Sequence, residues 1–164
     1  MSTSEEQKMS KVQNITTTAS DPTVAAAAAQ FLSPVVLGLQ ALAINGKQAH
    51  WHVRGANFVG VHELLDTIVE HAGDFADTAA ERIVALGLPI DARVDAVAAN
   101  AGNTGVPAGF TQSDELVRAV IADIDAILAD TKAAIDGLDE VDLTSQDVAI
   151  EIMRGLEKDR WFLV

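Results

Sequence analysis

Apolar residues recur at three- and four-residue steps along four long stretches of this 164-residue chain, a period that folds as amphipathic helices packed on one another. In the first stretch the repeat is Val35, Leu39, Leu42, Gly46, Ala49 and Val53. Ser33-Pro34 ahead of it has the form of an N-cap followed by proline at the first helical position. Thr23 to Leu32 then reads as a separate helical turn or as a continuation kinked at Pro34. After the loop Arg54-Gly55-Ala56-Asn57, a second helix is expected from about Val59 to Leu86, with Leu64, Leu65, Ile68, Val69, Ala72, Phe75, Ala79, Ile83 and Leu86 as its stripe. Gly87-Leu88-Pro89 stops it. A third helix, capped by Thr111 or Ser113 and ending near Gly137, turns Leu116, Val120, Ile124, Ile127, Leu128 and Ile135 inward. Thr144 with Asp147 three residues on resembles a capping box and opens a fourth helix to about Phe162, with Val148, Ile152, Leu156 and Trp161 on its apolar side.

No stretch alternates convincingly as a strand. Residues 87–110 form a long connection, with four glycines or prolines between Gly102 and Gly109 and room for one short helix over Asp91 to Ala99. Neighbouring antiparallel helices need far shorter links, so this one is read as a crossover along the length of a bundle. The expected fold is all-α, a four-helix bundle whose long crossover between helices 2 and 3 carries a short helix. Residues 1–22 read as a flexible tail and 23–164 as the one domain.

The chain has no cysteine, which excludes a disulfide framework, an iron–sulfur cluster and a thiolate zinc site. No apolar run approaches the roughly 18 residues that would span a bilayer, and the polar start lacks the apolar stretch of a secretory signal. A cytoplasmic location is expected. The formal net charge is −13, with 24 acidic against 11 basic residues, and the basic ones are scattered. Such a chain repels nucleic acid and attracts cations.

The second helix holds two i, i+4 pairs, His62 with Asp66 and Asp77 with Glu81. Each pair stands on one helix face and can aim two ligand atoms at one point. Eleven residues separate Asp66 from Asp77, which is about three turns but also a rise of about 16 Å. One metal cannot reach both pairs within one chain, because ligand distances are only about 2 Å. If two copies of the helix cross antiparallel about a two-fold axis, His62 and Asp66 of one face Asp77 and Glu81 of the other, giving two identical sites. His50, near the end of the first helix, can join that cluster. The resulting nitrogen and oxygen set suits iron, manganese or zinc. Spacing alone fits a solvated acidic helix face equally well.

The run Lys47-Gln48-Ala49-His50-Trp51-His52-Val53-Arg54-Gly55, followed by Phe58, His62-Glu63, Asp66, Asp77 and Ala80-Glu81-Arg82, resembles the signature of the Dps family, ferritin-like mini-ferritins that protect DNA during starvation. The helix order and Trp161 extend the likeness over nearly the whole chain. The resemblance implies that His50, His62 and Asp66 are iron ligands from one subunit, and Asp77 and Glu81 from its two-fold mate. It also implies an oxidisable Trp51 beside the site, a dodecameric shell with a mineral cavity, and ferroxidase activity using hydrogen peroxide. In similar proteins the start of the last helix lines cation pores, which would give Asp142, Asp147 and Glu151 that role. His52 departs from the family's usual asparagine and, like His71, points away from the ligand set. Direct DNA binding is expected to be weak or absent, because the sequence carries no lysine-rich arm. The same metal ligands would also serve a metal-dependent amide or ester hydrolase, and a DNA-binding nucleoid protein is the other alternative.

Overall fold

The computed structural model describes residues 21–164. Most of the tail expected over 1–22 lies outside the described residues, and its last two positions start a helix. Asp21 caps that helix by accepting from the Thr23 backbone N–H at 2.7 Å, with Pro22 at the first helical position. Helix α1 (Pro22–His52) then continues without a break through Pro34. Ser33 is therefore not an N-cap; its hydroxyl donates back to the Ala29 carbonyl at 2.5 Å. A proline inside a helix deprives the carbonyl four residues earlier of its donor. Here Gln30 and Pro34 both face outward, where water can take that place, while Ala28, Leu32, Val35 and Val36 bury one continuous face on either side.

Val53–Arg54 (β1) follows, then α2 (Phe58–Ala85), a short α3 (Val94–Asn100), Thr111–Gln112 (β2), α4 (Ser113–Leu138) and α5 (Leu143–Leu163). The two-residue strands were not expected. They pair in parallel, Val53 with Thr111 and Arg54 with Gln112. This pairing fixes the topology, because it ties the end of the crossover to the turn between α1 and α2. The Ser113 hydroxyl reinforces the tie by donating to the Ala56 carbonyl at 2.6 Å. Neither Thr111 nor Ser113 caps α4, whose N-cap position is Gln112. Helix α4 thus begins beside the start of α2 and runs the same way, as a crossover along the bundle requires.

Around the bundle α1 packs on α2 and α4, and α5 packs on α4 and α2. The core between them contains Leu32, Leu39, Leu42, Leu65, Ile68, Ile83, Leu116, Ile124, Leu138, Ile152 and Leu156, all fully buried. Nearly every residue of the four apolar stripes is buried or half-buried. Trp161 is not: it is 69% exposed, so it does not belong to the apolar side of α5. The cap of α5 is Asp142 rather than Thr144, its carboxylate accepting from the Ser145 backbone N–H and hydroxyl. Two glycines permit close contact of aromatic rings with helix backbone. A Cβ at Gly137 would stand 2.3 Å from the Phe31 ring, and one at Gly155 would stand 2.2 Å from the Phe75 ring.

By length and composition α1 is apolar enough to cross a bilayer, with a mean hydropathy of 1.7 over its most apolar window. The buried face of α1 is nevertheless used up against α2 and α4, as in the core helix of a bundle.

Candidate metal centre

The loop between α1 and α2 is short enough to bring the last turn of one helix against the first turn of the next. His50 and His62 meet there with ring centroids 3.7 Å apart and planes 17° from parallel. Each ring is held by the other residue's backbone. His50 Nδ1–H donates to the His62 carbonyl at 2.7 Å, and His62 Nδ1–H donates to the His50 carbonyl at 2.8 Å. A carbonyl can only accept, so Nδ1 carries the proton in both rings. In the neutral imidazoles this leaves both Nε2 atoms with a free lone pair, the tautomer a metal needs. Neither histidine is fully buried, so the pair is accessible.

Asp66, one turn beyond His62, is exposed and ion-paired with Lys47 of α1. The hydrogen bond from Lys47 holds its carboxyl below the usual carboxylate range; slight desolvation opposes this, and the charges of Lys47, His50 and His62 add to the lowering. Lys47 thus rests where a cation coordinated by Asp66 would sit. Asp77 and Glu81 lie exposed near the other end of α2 and make no side-chain hydrogen bond or ion pair among the described residues. Among the described residues of one chain, no three histidines or carboxylates converge tightly enough to hold a metal ion. The structure therefore brings His50 to His62 and sets Asp66 beside them, while Asp77 and Glu81 stay apart.

Trp51 sits next to His50 and is 60% exposed. His52 turns away, its Nδ1–H donating to the Gln48 carbonyl at 2.8 Å. His71 is also remote from the pair and donates through Nδ1 to both oxygens of the buried Asp159 at 2.9 and 3.0 Å. Of the acidic residues near the start of α5, Asp142 is engaged by its cap bonds and by Arg82 Nη2 at 2.8 Å. Burial pushes its carboxyl up, but the hydrogen bonds from Ser145 and Arg82 outweigh that and hold it below the ordinary range. Asp147 and Glu151 remain exposed one turn apart.

Two features of the site escaped sequence reasoning. Lys47 was visible only as part of a motif, and its contact with Asp66 depends on how α1 and α2 pack. The second is a set of rings around Arg54. Phe58 lies over His62 at 5.4 Å with planes 22° apart, and the Arg54 guanidinium stands 5.9 Å from the Phe58 ring and 4.1 Å from Phe110. Phe110 comes from the crossover, and nothing local in the sequence announces the contact.

The sequence profile of the ferritin-like domain matches residues 36–164. Among curated proteins, the DNA protection during starvation protein of Mycolicibacterium smegmatis is 35% identical over 121 residues, covering 71% of this chain and 64% of its own length. The chain therefore spans a little under two thirds of that relative. The protein of the same name from Agrobacterium fabrum is 35% identical over 123 residues, covering 74% of this chain and 76% of its own. Among solved structures, Dps from Microbacterium arborescens in its high iron form superposes with a TM-score of 0.87 and 69% identity, covering 89% of this chain and 95% of that one.

Proposed function

The chain belongs to the Dps family of ferritin-like proteins, and on that premise we propose that it oxidises Fe(II) with hydrogen peroxide between paired subunits and stores the ferric product in a hollow twelve-subunit shell. The observation that carries this reading is the reciprocal lock of His50 and His62, which leaves two neighbouring Nε2 lone pairs beside the Asp66 carboxylate. Asp77 and Glu81 of a two-fold mate complete the set, which accounts for why one chain alone gathers no three ligands.

Iron is the substrate here. The imidazoles hold Fe(II) with positions left open, and the carboxylates favour the more highly charged Fe(III). Two Fe(II) ions give one electron each to one peroxide; with two protons its O–O bond breaks to yield two waters and two Fe(III), so no hydroxyl radical is released. Trp51, exposed and following His50 in the chain, would supply an electron where only one iron is bound. Asp147 and Glu151 draw cations toward the shell interior, while the carboxylate of Asp142, expected to share that role, is already engaged by Arg82. A scattered basic set in a chain of net charge −13 argues against direct DNA binding, so protection of DNA comes from removing iron and peroxide in the cytoplasm. The test is stopped-flow oxidation of Fe(II) by peroxide in wild type and in Asp66→Ala/Glu81→Ala. Loss of the fast phase in the variant is expected, and equal rates would sink the site.

A further inference from the structure

Arg54, like Arg154 and Lys158, makes no ion pair among the described residues. Its guanidinium is spent on aromatic faces instead, 4.1 Å from the Phe110 ring and 5.9 Å from Phe58, with Nη1 donating to the Val53 carbonyl at 2.7 Å. The β1–β2 pairing makes this possible, because it sets Arg54 opposite Gln112 and so brings the end of the crossover, with Phe110, over the α1–α2 turn. From Arg54 the stack continues through Phe58 to His62 at 5.4 Å and on to His50 at 3.7 Å. His62 is thus stacked with two rings, His50 and Phe58.

That matters because an imidazole can turn about its χ2 bond, and half a turn puts carbon where nitrogen was, exchanging Nδ1 with Cδ2 and Nε2 with Cε1. One hydrogen bond, from Nδ1–H to the His50 carbonyl, holds the useful orientation. Phe58 is itself 38% exposed and is not held by the core, so it needs a partner on its outer side. We infer that Arg54 is a positioning residue for the metal centre: stacked between Phe110 and Phe58, it presses Phe58 onto His62 and keeps Nε2 aimed at the metal. This rests on the reading of His62 as an iron ligand given above.

The stack is worth an exposed cation–π contact, about 0.5–1 kcal/mol, or about two- to five-fold in affinity at 1.36 kcal/mol per tenfold. The experiment is an anaerobic Co(II) titration of the assembled protein, followed by its visible absorption, beside the Fe(II) dependence of peroxide-driven oxidation. Wild type is compared with Arg54→Met, Arg54→Lys, Phe58→Leu, the Arg54→Met/Phe58→Leu double variant and His62→Ala. Arg54→Met and Phe58→Leu should each weaken Co(II) binding about two- to five-fold and raise the half-saturating Fe(II) by the same factor, with far less change in the saturated rate. Arg54→Lys, which keeps a cation over the rings, should fall between wild type and Arg54→Met. The double variant should be no worse than the weaker single, since both changes break one chain of contacts. Wild-type Co(II) affinity in Arg54→Met, or single effects that simply multiply in the double variant, would overturn the inference while leaving the metal site intact. Unaltered Co(II) binding in His62→Ala would instead overturn the reading of the site itself.

Discussion

His71 and Asp159 join α2 to α5 away from the proposed metal centre, and replacing His71 by leucine isolates the worth of that contact. Asp159 is 1% exposed, and its hydrogen bonds among the described residues both come from His71 Nδ1–H. Burial pushes the Asp159 carboxyl up from its ordinary value, while the hydrogen bond and charge of His71, and the charge of Lys158, pull it back. His71→Leu removes the main restraint, so the carboxyl should rise further. A buried acceptor left unpaired costs about 1–3 kcal/mol, and about 2 kcal/mol is the expected loss at pH 8 because the half-exposed edge of the site admits some water. At about 2–4 °C per kcal/mol for a chain of this size, the unfolding midpoint should fall by about 4–8 °C, measured at one fixed subunit concentration. The sign with pH follows from the raised carboxyl. Between its unfolded value and the higher folded one the native state binds more protons, so the favourable contribution of the protonated acid is present at low pH and is lost as pH rises. The variant should therefore lose stability relative to wild type as pH rises above the ordinary carboxylate range. His71→Leu/Asp159→Leu removes the acid, and with it that slope and most of the cost. Thermal unfolding followed by circular dichroism at several pH values decides the matter. A single variant that melts with wild type at pH 8, or that matches the double variant at every pH, would refute the reasoning.

Lys47→Met should tighten Co(II) binding at neutral pH, since the ammonium no longer competes for Asp66, and should move the acid-side loss of binding to higher pH, since Lys47 is what holds that carboxyl low; titrations at two pH values read both effects. Asp142→Ala should cost about 1–2 kcal/mol in chemical denaturation, a typical loss for an N-cap. Its carboxyl is held low in the folded state, so the contribution is present at neutral pH and lost on acidification, and the variant should converge on wild type as pH falls. Gly155→Ala places a Cβ 2.2 Å from the Phe75 ring and should destabilise by about 1–3 kcal/mol, with Phe75→Leu in the same chain restoring much of the loss in a denaturant titration.

The four apolar stripes were legible because each is set by a local period, and a bundle requires only that those stripes face one another. Helix ends were less legible, since the competition there is decided by contacts distant in sequence. Ser33-Pro34 has the local form of a helix start, yet Ala25, Ala28 and Leu32 ahead of it carry the same buried face, and packing overrides the break. Thr144 and Asp147 looked like a cap, but Asp142 takes the position because Arg82 of α2 also reaches it. Trp161 was placed on the apolar side by its spacing alone, and spacing does not say how far the neighbouring helix extends beneath it.

The metal centre divides along the same line. Its ligand types and their i, i+4 steps are sequence properties, and so is the conclusion that Asp66 and Asp77 stand too far apart to serve one ion. What the sequence could not show is why two histidines twelve residues apart would present the same nitrogen. That depends on each backbone carbonyl lying within 2.8 Å of the other's ring, a result of the short turn and of helices packed closely enough for the rings to stack. Once both protons are fixed on Nδ1, the remaining choice of ligand atom disappears, and affinity depends on keeping the rings from turning. On the proposed function, in which Fe(II) is taken up and Fe(III) passed to a mineral, rigid nitrogen donors and looser carboxylates are an advantage. The residues are disposed in keeping with that reading, with imidazoles locked by backbone carbonyls, Asp66 ion-paired with Lys47, and Asp77 and Glu81 exposed.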